Sequence, residues 1–150
     1  MMADIKLREA VISDLDEILS IENQSFNSEA FNRRQFRYLI NSSGCIFQVA
    51  QHNGTIAGCL ILLKRKNSRL LRIYSIAVSP NHRGLGIAQV LIDYTSNYAK
   101  SGGYKTVSLE VNEKNEPAIR LYQKNGFRVT ARRLHYYSPG EHALVMRIII

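Results

Sequence analysis

The chain has 150 residues, 45% of them hydrophobic and 21% charged, and carries a formal net charge of +8. That length suits one domain, residues 1–150, with a real core, and the composition excludes disordered, collagen-like and disulfide-scaffold classes. No run approaches the roughly 18 apolar residues of a membrane helix, and the first residues turn charged too early for a signal peptide, so a cytoplasmic protein with no membrane partner is expected.

Ile5-Lys6-Leu7-Arg8 alternates like a short strand. Ser13 reads as an N-cap for a helix in which Leu15, Ile18, Leu19 and Glu22 follow helical spacing. A second helix is expected from about Ser28 through Phe31, Phe36, Leu39 and Ile40. The strands Ile46–Ala50 and Thr55–Leu63 flank His52-Asn53-Gly54, which contains the Asn-Gly hairpin signal. A strand over Leu70–Val78 stops at Ser79-Pro80, and a helix with Val90, Leu91, Tyr94 and Tyr98 runs to Gly102-Gly103. Thr106–Val111 is a strand, Glu116–Lys124 a short helix ended by Gly126, and Phe127–Tyr137 with Ala143–Ile150 a closing antiparallel pair. The order predicts a mixed sheet with helices on it, an α/β or α+β layer fold.

Cys45 and Cys59 lie in apolar surroundings without ligand spacing, and the four histidines are scattered. Small buried hydrophobes in a reducing compartment are expected, and no metal. The positive charge suits a polyanion or a phosphorylated cofactor. It is dispersed through Arg33-Arg34, Lys64-Arg65-Lys66, Arg69, Arg72 and Arg132-Arg133, so the weightier reading is solvated faces rather than a groove.

Between the third long strand and its helix stands Arg83-Gly84-Leu85-Gly86-Ile87-Ala88. Glycines at a strand-to-helix junction permit positive φ and expose the unpaired amides of the first helical turn, which makes an anion cradle. A tight turn with close helix packing explains the glycines equally well. Gln89 stands where a dinucleotide fingerprint requires a third small residue, and the Gly-Lys-Ser/Thr of a P-loop is absent. The segment does match R-x-x-G-x-A, which resembles the acetyl-CoA signature of the GCN5-related N-acetyltransferase (GNAT) family. Downstream, Asn115-Glu116-Pro117-Ala118 through Tyr122 to Gly126-Phe127 resembles that family's later motif, N-x-x-A-x-x-x-Y-x-x-x-G-F. Order and spacing extend the resemblance over essentially the whole chain.

The resemblance implies a GNAT fold, with a mixed, mostly antiparallel central sheet whose central strands splay apart and helices on its faces. It implies that acetyl-CoA is the co-substrate. Ile76, Ala77 and Val78 would then offer backbone groups to the pantetheine arm, the Val78 N–H polarising the thioester carbonyl. The amides of Gly84, Leu85, Gly86, Ile87 and Ala88, with Arg83, would hold the pyrophosphate, and Asn115 would contact the arm. Read as residues alone, Ile76–Val78 is a plain buried strand and Asn115 an ordinary N-cap.

An amine must shed a proton before it attacks a thioester, and the leaving thiolate gains from a nearby acid. Glu110 interrupts the apolar strand Val107-Ser108-Leu109-Glu110-Val111, on the face opposite the valines and leucine. Its plainer reading is a solvent-facing or ion-paired strand residue, and that of Tyr122 a core aromatic. Leu109-Glu110-Val111 with Tyr122 resembles the general base and general acid of the RimI type of ribosomal-protein N-terminal acetyltransferases. Arg132-Arg133-Leu134-His135-Tyr136-Tyr137 and Gly140-Glu141-His142-Ala143 resemble that type's closing hairpin. The similarity implies that Tyr136 and Tyr137, together with Phe26 after the first helix, line the acceptor groove; cross-strand packing explains the tyrosines as well. Two departures stand at the acceptor side: His142 replaces an aspartate, and Ser25-Phe26-Asn27 lacks the family's Phe-Pro.

The resulting expectation is acetyl transfer to a protein or peptide N-terminal α-amine, ribosomal proteins among the acceptors, by direct attack on the thioester. A small amine as acceptor keeps the same chemistry. An acetyl-CoA-sensing or ribosome-binding module rests on the charge alone, and an intact Glu110–Tyr122 pair argues against it. No direct nucleic-acid role is expected; monomer and dimer both fit.

Overall fold

The computed structural model describes residues 4–26 and 32–150, apart from the side chains of Ser25 and Phe26. Strands β1 (Ile5–Glu9), β2 (Cys45–His52), β3 (Thr55–Lys64), β4 (Leu70–Val78), β5 (Thr106–Asn112), β6 (Arg128–Ser138) and β7 (Glu141–Ile149) form one seven-stranded sheet. Its order is β1-β2-β3-β4-β5-β7-β6. Every pairing is antiparallel except β4 with β5. A parallel pair needs a crossover, and helix α3 (Ile87–Ser101) provides it. The remaining helices are α1 (Leu15–Phe26), α2 (Arg33–Ile40) and α4 (Glu116–Lys124).

Strand β3 is buried without a break from Ile56 to Leu62, as a strand covered on both faces must be. Its residues divide by alternation. Leu60 and Leu62 join Leu91, Ile92 and Met146 in one core, whereas Cys59 and Ile61 join Leu15, Ile18 and Phe36 in another. Helices α1 and α2 therefore cover one face of the sheet and α3 the other. The layered architecture and the mixed sheet expected from the sequence are present.

Local sequence accounts for the junctions. Asn53 and Gly54 take positive φ (53° and 78°), as the two central residues of a type I′ hairpin turn require. Gly58 lies under the start of α3. A Cβ there would fall 2.9 Å from the Ala77 carbonyl oxygen and 3.0 Å from Ile87 Cγ2, so the bare backbone sets how closely helix and sheet approach.

Two helix starts differ from expectation. Ser13 is not an N-cap but lies inside a 3-10 turn, Ile12–Asp14. Asp14 does the capping, accepting the Val11 N–H at 2.8 Å while Arg8 grips both carboxylate oxygens at 2.8 Å. A carboxylate that can pair with Arg8 outcompetes a hydroxyl. The second helix begins at Arg33 behind Asn32, whose side chain accepts the Gln35 N–H at 2.9 Å; the earlier part expected from Ser28 to Phe31 lies outside the described residues.

One irregularity shapes the centre of the sheet. In the β3–β4 ladder Ile61 faces Ser75 and Leu62 faces Ile73, so Tyr74 is an extra, bulged residue. The parallel ladder to β5 ends at the same level, with Ile73 opposite Leu109. Beyond it β4 pairs only with β3, and β5 only with β7. A bulge bends its strand and increases its twist; here it coincides with the parting of the two central strands.

Candidate active site

The gap between the parted strands is a slot of about 110 Å³. Ile76 from β4, Glu110 from β5, Asn115 and Tyr122 at α4, and Tyr137 from β6 all line it. Residues far apart in the sequence thus meet at one opening, because β5, α4 and the β6–β7 hairpin follow one another around it. The Ser79 N–H donates to the Ala57 carbonyl at 2.7 Å. Because bonding alternates along an antiparallel pair, the backbone groups of Val78 and Ile76 face away from β3, toward the slot.

Just beyond the end of β4, Gly84 and Gly86 take φ of 83° and 79° with no atom within 4 Å of where a Cβ would stand. Their conformation calls for glycine, and the space outside them is open. The first bond of α3 runs from the Val90 N–H to the Gly86 carbonyl at 3.1 Å, so the amides of Ile87, Ala88 and Gln89 have no partner within the helix. An anionic group fits against these donors and the exposed Arg83. The buried side chain of Ile87 and the half-buried Leu85 pack into the core on the α3 face, and Ala77 into the other core. From these three positions only backbone is available to a ligand. Gln89 serves the packing instead. Its amide exchanges hydrogen bonds with that of Asn125 at 2.8 and 3.0 Å, tying α3 to the end of α4.

Glu110 is mostly buried, its side chain 12% exposed. Arg72 Nε donates to Glu110 Oε2 at 3.1 Å, and Arg133 Nε lies 3.9 Å from Oε1. Arg72 in turn donates to the Tyr136 hydroxyl at 2.8 Å and sits 5.2 Å from the centre of the Tyr74 ring. The ion pair expected of an ordinary strand residue is therefore real. It also holds a carboxylate at the mouth of a slot, where an ammonium could hand over a proton. Tyr122 is buried with its ring edge-on to Phe127, and burial pushes its hydroxyl up to about 12. It stays protonated across the neutral range and can donate a hydrogen bond to a developing thiolate. Asn115 caps α4, accepting the Ala118 N–H at 3.3 Å, while also facing the slot.

The closing hairpin explains one departure from the family pattern. The β6–β7 register breaks between Arg133 and Ser138, and His135 takes a positive φ of 54°. His142 Nδ1 accepts the His135 N–H at 2.9 Å, while His135 Nδ1 accepts the Gly140 N–H at 2.9 Å. A side-chain acceptor, which an aspartate would also provide, thus survives at position 142. The break separates the two tyrosines. Tyr137 lines the slot, and Tyr136 turns to Arg72 and stays 41% exposed. The side chain of Phe26 lies outside the described residues.

Arg72, Arg133 and Tyr74 are site residues that the linear pattern does not reveal. Arg72 and Glu110 stand 38 positions apart, and only the parallel β4–β5 register makes them neighbours. Among the described residues no cluster of histidine, cysteine, aspartate and glutamate could hold a metal ion, and no helix is long and apolar enough to cross a membrane.

The sheet is thus parted at its centre, with a carboxylate and a protonated tyrosine lining the gap and a glycine-opened helix start following β4. The chain belongs to the acetyltransferase (GNAT) family, whose model matches residues 12–127. Over 152 residues, covering all of this chain and 99% of the relative, it is 29% identical to a provisionally named ribosomal protein bS18-alanine N-acetyltransferase of Bacillus subtilis (strain 168). It is 30% identical over 154 residues to an N-alpha-acetyltransferase of Sulfurisphaera tokodaii, covering 95% of this chain and 92% of that one. The fold is shared with the crystal structure of the ribosomal-protein-S18-alanine N-acetyltransferase from Escherichia coli, at a TM-score of 0.87 and 23% identity over 98% of this chain and 94% of that chain. The protein is thus an N-acetyltransferase by family.

Proposed function

We propose that this protein transfers the acetyl group of acetyl-CoA to the N-terminal α-amine of a protein or peptide, ribosomal proteins among the acceptors, in the cytoplasm. One observation carries the reading: Glu110 and Tyr122 face a single slot beside β4, the strand that leads on to the glycine-opened start of α3. Two relatives named for α-amine or ribosomal-protein acetylation, matched over almost their whole length, support it.

In this reading the pyrophosphate rests on the amides from Gly84 to Ala88 with Arg83, and the pantetheine arm lies along Ile76–Val78 and past Asn115. The Val78 N–H polarises the thioester carbonyl. Glu110, directly or through one water, takes a proton from the acceptor ammonium. The amine then attacks the carbonyl carbon; the C–N bond forms, the C–S bond breaks, and the proton that the nitrogen sheds replaces the one that the Tyr122 hydroxyl passes to the departing thiolate, leaving an amide and a thiol. Tyr137 flanks the acceptor. Arg72 holds the Glu110 carboxylate in place for that transfer.

Intact-mass analysis of a panel of N-terminal peptides and small amines incubated with acetyl-CoA tests the proposal. The expected result is one added acetyl group on the peptide α-amine with stoichiometric thiol release. Modification confined to small amines, or no thiol release with any acceptor, would overturn it.

A further inference from the structure

The outer side of Glu110 opens into a second, much larger space of about 1070 Å³. Small-ligand pockets span roughly 300–1,000 Å³, so this cleft has room for a length of peptide. Its walls come from α2, the turn after β3, and strands β4 to β7. Among the described residues the only carboxylate on them is Glu110, at the floor. Around it stand Arg34, Lys64, Arg65, Lys66, Arg133 and Arg147, besides Arg72. Arg72 and Arg133 lean on Glu110. The other five have no carboxylate within ion-pair distance among the described residues.

The dispersed cations that sequence alone reads as solvated faces are therefore gathered in part around one cleft, contrary to that expectation. The sheet order explains the gathering: Arg133 and Arg147 come from the last two strands, which fold back beside β5 and so face the Lys64–Lys66 turn. Five cations without an ion-pair partner among the described residues share one concavity; they repel one another and raise its potential, which favours an anionic occupant.

We infer that this cleft selects acceptor peptides carrying aspartate or glutamate in the residues that follow the acetylated amine. The inference rests on the proposed N-terminal acetyl transfer, since it assumes that the amine is delivered to Glu110. Extended peptide advances about 3.3 Å per residue, so the first few side chains after the amine pass from the slot into the ring of cations. A nucleic acid fits the same charges less well. Its phosphates would meet the Glu110 carboxylate at the floor, and the cleft offers only Tyr38 and Tyr74 as aromatic surfaces for bases among the described residues.

The test uses three peptides of one length and one N-terminal residue, bearing two acidic, two amide or two lysine residues at positions 2 to 4. Binding is read by anisotropy of a carboxy-terminal label and transfer by thiol release. The acidic peptide is expected to bind about tenfold more tightly than the amide one at low ionic strength, with the gap narrowing as salt is added. Lys66→Glu, a change at an exposed turn residue, should cut that ratio severalfold. Equal or weaker binding of the acidic peptide would overturn the inference, as would an oligoribonucleotide that displaces it and binds more tightly. The two proposals fail separately. Tight, charge-dependent binding without acetyl transfer removes the proposed reaction and leaves the cleft's preference standing. Transfer that ignores peptide charge does the reverse.

Discussion

Replacing Glu22 by glutamine should remove a specific pH dependence of stability. Glu22 is fully buried on α1 beneath β4. Its Oε1 accepts the Ser75 hydroxyl at 2.8 Å and lies 3.7 Å from Cys59 Sγ, whereas Oε2 has no hydrogen-bond partner among the described residues. Burial pushes the carboxyl up from 4.5 to about 7, against the smaller opposing pull of these two donors. A folded-state value above the unfolded one means that the native protein holds the extra proton between the two. Stability from this group is full below about 4.5 and drains away as pH rises through 7. The whole shift is worth about 3 kcal/mol, of which about 2.5 kcal/mol falls between pH 5 and pH 8. Glutamine keeps the shape and the acceptor for Ser75 but cannot ionise; its unpaired amide hydrogens would cost about 1–3 kcal/mol at every pH. Denaturant titrations of both proteins at pH 5, 6.5 and 8 isolate the effect, because every other titrating group cancels in the difference. The variant is expected to be the less stable protein at pH 5 and to recover about 2.5 kcal/mol relative to the parent by pH 8. Parallel pH profiles would refute the reasoning by showing that Glu22 is not held neutral by burial.

The remaining predictions concern the slot and its supports. Glu110→Gln should lower turnover by about 10²–10⁴-fold, most severely at low pH where more of the acceptor amine is protonated, with acetyl-CoA binding by calorimetry nearly unchanged. Tyr122→Phe keeps the ring against Phe127 and should also lower turnover without lowering the melting temperature; full activity in both variants would remove the proposed mechanism. Gly86→Val puts a branched side chain where φ is 79°, so acetyl-CoA affinity should collapse in titration calorimetry, and an unchanged affinity would sink the cradle assignment. Gly58→Val should destabilise the fold by at least about 1–3 kcal/mol in denaturant, since the contacts at 2.9 and 3.0 Å are to a carbonyl and a core methyl that cannot swing aside.

The sequence specifies its strands well where local rules act alone. Leu70–Val78 and Glu116–Lys124 run between the residues expected, because a Ser-Pro, an N-cap asparagine and a left-handed glycine are strong local stops. What it hides is whatever depends on register. The parting of β4 from β5 turns on one bulged residue, and nothing in Ile73-Tyr74-Ser75 distinguishes a bulge from regular strand. Glu110 is conspicuous as a carboxylate in an apolar strand, yet its partner Arg72 is an ordinary arginine until the parallel pair aligns them. Glu22 did leave a signal. It falls seven residues after Leu15 and four after Ile18, on the stripe that faces the core, and a carboxylate on such a stripe is a buried acid by spacing alone.

Register also accounts for the charge. A basic protein of this size invites a polyanion as partner, and the folded chain sets some of its cations at two places with different demands. Arg83 stands at the glycine-opened start of α3, where the proposed cofactor is anionic. The larger group rims the cleft on the outer side of Glu110. Between them lies Glu110, with Arg72 and Arg133 as its ion-pair partners among the described residues. The same arginines that position the proposed base therefore also line the cleft, so in the proposed reading the placing of Glu110 and the peptide preference are linked through them. Neutralising Arg133 should weaken the preference for acidic peptides, read as a smaller ratio of acidic-peptide to amide-peptide affinity.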